Sequence, residues 1–480
     1  MSVGTKLLQA AAGGASDPVY VDDVFSCFLH VGDSSSGRSI NNGIDLDGEG
    51  GLVWIKGRDS AYNNVLYDTA RGATQEMYSN NTDRSAANTN ALTAFNSNGF
   101  TIGSAGEVNN NLNEYVSWAF RKQEKFFDIV TYTGNGSNGG GSGRAIAHNL
   151  GSQPGMIIVK RTDGLPTAGD WYTANLRADG AQYNFCRLNV DNAKFSNDLI
   201  ANVADSSSVI VDGTSNGGGG SFANLYAGSQ AINVNNATYV MYLFAHNEQE
   251  FGEDSDEAII KCGSYSGNGG TQDIDVGFEP QWVLIKNVGN TANWVIVDMM
   301  RGFIVDSSAD STTLQPNTSN AESSSTAGRI GPRPNGFGFI SESGNDLNAV
   351  GSGYDYIYVA IRRPHKPASE FAATDLFGID TLGSTGDGAE PGFRSTFPCD
   401  TGIRLDTGAA STELASRLTQ GKWMYMDTNA AESSANFPQF DYQNGWGAST
   451  STASNYYGYM FRRVKGFFDV VAYTGNSTNG

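Results

Sequence analysis

A ten-residue stretch near residue 126 returns near the end of the chain. It reads FFDIVTYTGN from Phe126 to Asn135 and FFDVVAYTGN from Phe467 to Asn476, 341 residues later (467 minus 126). A weaker copy from Ile260 to Gly269 subdivides this interval. Self-similarity at such spacing predicts a chain of repeated domains, so a motif found in several repeats is interpreted first as scaffold.

The residues between these copies predict β-structure. Glycine makes up 60 of the 480 residues, and short apolar runs such as 51–56 and 156–160 are bounded by glycine, charge and polar turns. Hardly any window has helical periodicity. We therefore expect an all-β fold of tandem antiparallel β-sandwiches, each of about seven to ten strands with a jelly-roll-like topology, stacked like beads along an axis.

The aligned copies predict a division of the chain into an N-terminal attachment tail, four sandwiches and the start of a fifth. The predicted bounds are 1–18 for the tail, 19–122, 126–247, 259–363 and 370–463 for repeats 1 to 4, and 466–480 for a truncated repeat 5. A domain does not end one strand after it begins, so we expect either a longer natural polypeptide or completion by strand donation. Trp54, Trp118, Trp282, Trp294 and Trp423 are expected in equivalent core or interface positions.

Charge and cysteine content exclude several classes of function. The formal net charge is −20, with only 30 Lys and Arg, which disfavours binding to nucleic acid because phosphate neutralisation needs clustered cations. The four cysteines form no CxxC pair, which disfavours a zinc site or a disulfide framework. The sequence contains no run of 18 apolar residues, so no membrane insertion is expected.

Residues that could carry chemistry are few. His30, His148, His246 and His365 have no second histidine at metal-binding spacing, and we predict no cofactor and no metal site. The acidic segment 248–257 is interpreted as a solvated linker in preference to a calcium loop. Asp68 with Arg71, and Asp298 with Arg301, recur at matching places and are interpreted as scaffold ion pairs. Two spaced carboxylates leave no sequence signature, so a polysaccharide hydrolase stays open as an alternative.

Several long motifs resemble those of a known group of proteins. These are TKLLQAAAG at residues 5–13, the repeated FFD(I/V)V motif, HNLGSQPGMIIVK at 148–160, FEPQWVLIK at 278–286 and IYVAIRRPHKPASEF at 357–371. Together they resemble the repeat-domain virion proteins of marine tailed bacteriophages, in particular cyanophages. The resemblance implies a structural or fibre-like protein of the virion and supplies no catalytic residues. Repeat 4 departs from the pattern because it lacks the HNLG entry.

The resulting hypothesis is a non-enzymatic tail-fibre or appendage subunit. Its N-terminal tail, with Lys6, Leu7, Leu8 and Gln9, would attach to other virion proteins, and its loops at 134–143, 217–227 and 345–353 would contact a host-surface glycan. A homo-oligomer is expected; a trimer is plausible because fibres commonly use three-fold assembly, although no heptad segment demands it. The alternatives are an architectural protein that cements the capsid or tail without touching the host, and a surface-polysaccharide depolymerase.

Overall fold

The computed structural model describes the central parts of the predicted repeats. The described residues are 17–136, 144–163, 169–176, 183–194, 204–211, 232–305, 311–323, 330–340, 346–351, 353–382, 390–408, 411–448 and 455–472. Nearly all regular structure in them is β, and every pair of named strands is antiparallel. The predicted all-β, sandwich-type fold class is confirmed. The attachment residues Lys6 to Gln9 lie outside the described residues.

Repeat 1 consists of a six-stranded and a three-stranded sheet. Its elements are α1 (Val21–Val24), β1 (Phe25–Val31), β2 (Arg38–Asn41), β3 (Gly51–Gly57), β4 (Val65–Asp68), β5 (Gln75–Tyr78), β6 (Ala86–Ala87), β7 (Leu92–Asn96), β8 (Gly99–Ile102), α2 (Gly106–Asn109) and β9 (Glu114–Arg121). The larger sheet has the order β1-β9-β3-β4-β5-β6 and the smaller one β2-β8-β7.

Repeats 2 and 3 follow the same plan. Repeat 2 contains β10 (Phe127–Thr133), β11 (Arg144–Ala147), β12 (Met156–Arg161), β13 (Tyr172–Leu176), β14 (Tyr183–Arg187), β15 (Ser208–Val211) and β16 (Thr238–Phe244). Repeat 3 contains β17 (Ile260–Ser266), β18 (Gln272–Asp275), β19 (Pro280–Asn287), β20 (Trp294–Asp298), β21 (Ile330–Arg333), β22 (Gly336–Phe339) and β23 (Asp355–Arg362). Their larger sheets have the orders β10-β16-β12-β13-β14 and β17-β23-β19-β20, and their smaller ones β11-β15 and β18-β22-β21.

Repeat 4 repeats the plan with shorter strands. They are β24 (Phe377–Thr381), β25 (Phe393–Arg394), β26 (Thr401–Asp406), β27 (Glu413–Ser416), β28 (Lys422–Tyr425), β29 (Ser433–Ser434), β30 (Gly445–Trp446) and β31 (Tyr456–Phe461). The sheet orders are β24-β31-β26-β27-β28-β29 and β25-β30. In all four repeats the first strand pairs with the last, and the second pairs with the strand before the last, which is the nested pairing of a jelly roll.

Each larger sheet has an inner face, which packs on the smaller sheet of the same repeat, and an opposite outer face. In repeat 1 the inner face supplies Val53, Ile55, Tyr67 and Tyr115 to a core that also contains Phe100 of the smaller sheet. Because side chains alternate along a strand, the residues between them point outward. All seven residues of β3 are nevertheless buried, so the outer face is also covered.

The chain forms two compact units that differ from the expected beads. The described residues between 24 and 248 and between 259 and 363 form one unit, which therefore holds repeats 1 to 3 in one body. The other comprises residues 17–23 and 249–258 and the described residues between 364 and 472. We call them the three-repeat unit and the repeat 4 unit. The prediction of separate beads fails for repeats 1 to 3, because their outer faces are buried against one another.

In the repeat 4 unit, three distant chain segments meet around His365. Its Nε2 lies 3.1 Å from a carboxylate oxygen of Glu257, and its ring packs edge-on to Tyr20 with 5.2 Å between centroids. The backbone N–H of Gly252 donates to the Val19 carbonyl at 2.9 Å. The acidic segment predicted as a linker is thus exposed at 253–256 and anchored on both sides of that stretch.

Candidate functional site

Three buried lysines join repeats 1 to 3 into a closed cycle. Each stands near the end of the third strand of its repeat, on the outer face, and is 0% exposed. Each Nζ donates to one backbone carbonyl of its own repeat and to one of another repeat. Lys56 bonds Tyr62 and Ser319, Lys160 bonds Gly169 and Thr82, and Lys286 bonds Ala292 and Asp191. Repeat 1 thereby bonds repeat 3, repeat 3 bonds repeat 2, and repeat 2 bonds repeat 1.

A second set of contacts runs in the same direction around the cycle. The residue opposite each lysine stands at the start of the next strand or directly before it, and donates its side-chain N–H to a carbonyl of the same neighbouring repeat. Asn64 bonds Gln315 at 3.5 Å, Trp171 bonds Tyr78 at 2.8 Å, and Trp294 bonds Arg187 at 2.8 Å. Asn64 also bonds Thr318 at 2.7 Å. Both sets of contacts therefore relate each repeat to the next by the same rotation. Three such steps return to the first repeat, so the arrangement is cyclic.

The two predicted Asp–Arg motifs are buried ion pairs at these contacts. The Asp298 carboxylate accepts from Arg301 Nε at 2.7 Å and from Trp118 Nε1 of repeat 1 at 3.0 Å. Asp68 pairs with Arg71 and accepts from the Tyr242 hydroxyl of repeat 2 at 2.7 Å. Each pair therefore joins two repeats, which agrees with the scaffold interpretation.

Burial gives the lysine contacts a measurable pH dependence. Burial lowers the pKa of Lys56 from 10.5 to about 8. Because the folded-state pKa lies below the unfolded-state value, the unfolded chain binds more protons between these values, and stability rises with pH there. We expect the stability of the wild type relative to Lys56→Met to increase by about 1.4 kcal/mol per pH unit between about pH 8 and about pH 10.

Urea unfolding of both proteins across this range measures the difference. Taking the difference removes the shared contributions of the buried tyrosines and cysteines, whose raised pKa values lower stability at alkaline pH. Arg333→Met, at a position outside the lysine set where the side chain is 21% exposed, serves as a control that should show no such slope. A constant difference between wild type and Lys56→Met would contradict the prediction.

A different surface, which we call the loop end, lies at one end of each sandwich. In repeat 1 it is formed by loops 32–37, 58–64 and 103–113, and a buried asparagine holds two of them together. Asn109 accepts from the Asp33 N–H at 3.0 Å and donates to the carbonyls of Ser35 at 2.9 Å and Gly103 at 3.0 Å. Asn233 and Asn348 make the matching contacts with Asn135 and Asn268 in repeats 2 and 3. Three equivalent loop ends are therefore anchored in one unit.

The tips of these loops expose large apolar side chains. Leu112 is 62% exposed and Val350 is 66% exposed, and both lie two or three residues after the buried asparagine of their repeats. Of the predicted contact loops, 134–136 and parts of 345–353 lie at loop ends, whereas 137–143 and 217–227 lie outside the described residues. Sequence reasoning identified these loops as a region and missed the asparagine anchors, which recur in equivalent positions.

The histidines and cysteines occupy structural positions. His30 stacks on Tyr115 with 5.0 Å between ring centroids and bonds the Val108 carbonyl, and burial lowers its pKa to about 4. All four cysteines are buried, and burial raises their pKa values. Among the described residues, no group of three or more His, Cys, Asp and Glu is placed to hold a metal ion. In the same part of the chain, no helix is long and apolar enough to cross a membrane.

Comparison with known proteins identifies a family. A family model described as a domain of unknown function, DUF7483, matches residues 21–364, which is more than half of the chain. The match covers repeats 1 to 3 and ends before repeat 4. No curated protein and no solved structure matches.

Proposed function

Because the chain belongs to the DUF7483 family, whose description assigns no activity, we propose a function from the loop ends and the resemblance to phage virion proteins. The chain is a non-enzymatic structural subunit of a bacteriophage appendage, such as a tail fibre, and its loop ends contact glycan on the host surface. Residues Lys6 to Gln9 belong to the tail that attaches it to other virion proteins.

The anchored loop ends carry this proposal. Each repeat of the three-repeat unit has its own buried asparagine, and two repeats present an apolar side chain at the tip beside Asn, Asp and Ser residues. Apolar contact combined with a few fixed polar groups is the chemistry of ligand recognition. Three equivalent ends on one body would turn weak individual contacts into avidity.

The architectural alternative is supported by the closed cycle. Because repeats 1 to 3 close on one another, repetition here builds a compact body instead of adding reach along a fibre. A compact body suits a protein that cements neighbours in a capsid or tail. Immunogold labelling of intact particles with antibodies against residues 24–121 distinguishes the two functions: label well outside the tail or capsid body supports an appendage, and label on that body supports cement.

Competition for adsorption tests the glycan contact. The purified 480-residue chain should slow adsorption of the phage that carries it to host cells, because it occupies the same glycans. Leu112→Asp combined with Val350→Asp should weaken this competition several-fold. Val471→Asp, which changes a 59% exposed residue of the repeat 4 unit, is the matched control and should compete like the wild type. If the wild-type chain leaves adsorption unchanged, the glycan contact is wrong.

A further inference from the structure

The outer face of repeat 4 differs from its three counterparts in exposure. Five residues form a row across the larger sheet, each paired with the next: Ile379, Tyr459, Ile403, Leu414 and Met424. Ile379 is 56% exposed, Met424 is 48% exposed, and the other three are partly exposed. The row is apolar apart from one tyrosine hydroxyl, although it faces solvent.

The same row in repeats 1 to 3 forms the contacts between repeats. The register places Cys27, Trp118, Trp54, Leu66 and Met77 at these positions in repeat 1, Ile129, Tyr242, Ile158, Thr173 and Cys186 in repeat 2, and Cys262, Val359, Leu284, Ile296 and Leu314 in repeat 3. All fifteen are buried. Repeat 4 therefore keeps an apolar row at positions that its relatives bury against other repeats.

The adjacent row shows how the contact changes. Leu405 stands where the other repeats have Lys56, Lys160 and Lys286, and Met426, which is 55% exposed, stands where repeat 1 has Ser79. The whole second row is Thr381, Tyr457, Leu405, Thr412 and Met426, and none of the ten side chains in the two rows is charged. Two adjacent uncharged rows on a chain of net charge −20 are typical of an interaction surface.

We propose that the outer face of repeat 4 joins three copies of this chain into a closed trimer, with the geometry that joins repeats 1 to 3. Each repeat presents one surface to the repeat before it and a different surface to the repeat after it, which is a head-to-tail contact. Head-to-tail contacts form a ring when the rotation between neighbours divides a full turn into equal steps. In the three-repeat unit the rotation closes at three. Each repeat 4 therefore contacts the repeat 4 of each of two other copies of the chain.

The mass of the full chain in solution tests the proposal. Native mass spectrometry and light scattering should give three times the chain mass of 51.0 kDa. Ile379→Asp combined with Met424→Asp should reduce the mass threefold, because it places six carboxylates in the trimer interface. Leu112→Asp combined with Val350→Asp changes equally exposed residues elsewhere and should leave the trimer intact. Circular dichroism verifies that each variant is folded.

A cross-link tests the geometry independently of these variants. Thr412 pairs with Met426 as Asn64 pairs with Ser79, and Thr428 follows Met424 by four residues as Thr318 follows Leu314. Between repeats 1 and 3, the Asn64 side chain donates to the Thr318 backbone carbonyl at 2.7 Å. Thr412→Cys combined with Thr428→Cys should give a covalent trimer under mild oxidation, whereas either single variant should not. A monomeric or dimeric wild type, a trimer unaffected by the aspartates, or the absence of a covalent trimer would each overturn the proposal.

Discussion

Replacing Asp298 by alanine is expected to lower the free energy of unfolding of the three-repeat unit by about 3–5 kcal/mol. Both Asp298 and Arg301 are 0% exposed, and their side chains are 2.7 Å apart. The substitution leaves a buried guanidinium without its nearest carboxylate and removes the acceptor of Trp118 Nε1. Breaking a buried pair costs more than the pair contributes, because the remaining charge is far from water.

Chemical unfolding followed by tryptophan fluorescence measures this loss. The matched control is Asp273→Ala in the same repeat. Asp273 pairs with Arg333 at a similar distance of 2.8 Å, but the Asp273 side chain is 66% exposed. Its expected cost is below about 1 kcal/mol, because solvent screens an exposed pair. Equal losses for the two variants would show that Asp298 does not have the structural role assigned to it.

Replacing Phe120 by alanine is expected to destabilise repeats 1, 2 and 3 together, by about 3–5 kcal/mol. Its ring contacts aromatic rings of all three repeats: Phe25 at 4.9 Å, Phe127 at 5.5 Å, Phe244 at 5.6 Å and Trp282 at 5.8 Å between centroids. The cavity would therefore form where the three sheets meet. One cooperative transition with a lower midpoint should result.

Hydrogen exchange followed by peptide shows where the loss occurs. We expect faster exchange in β10, β16 and β19 as well as in β1 and β9. Phe461→Ala is the control, because the register places Phe461 of repeat 4 at the equivalent position and it is only partly buried there. Its expected effect is smaller and confined to the repeat 4 unit. Faster exchange in repeat 1 alone after Phe120→Ala would contradict the role of Phe120 as a shared core residue.

Local patterns predicted the fold class and the repeated strands. Runs such as GLVWIKG and MIIVKR, bounded by turn residues, indicate strands whatever surrounds them, because strand preference and turn chemistry are properties of a few neighbouring residues. The same runs contain an early sign of the cycle, since Lys56, Lys160 and Lys286 interrupt apolar strands at one equivalent position. That recurrence was visible in the sequence, but its meaning was not.

An acidic, all-β chain of repeated sandwiches could be predicted from the amino-acid sequence. The closure of repeats 1 to 3 on one another could not, because it depends on contacts between residues more than 200 positions apart, such as Lys56 with Ser319. Trp54 and Ile403 occupy equivalent apolar positions on the outer faces of repeats 1 and 4. Trp54 is buried by another repeat, whereas Ile403 is partly exposed. Whether another repeat covers the outer face decides the burial of such a residue, and this cannot be predicted from the residues of the strand alone.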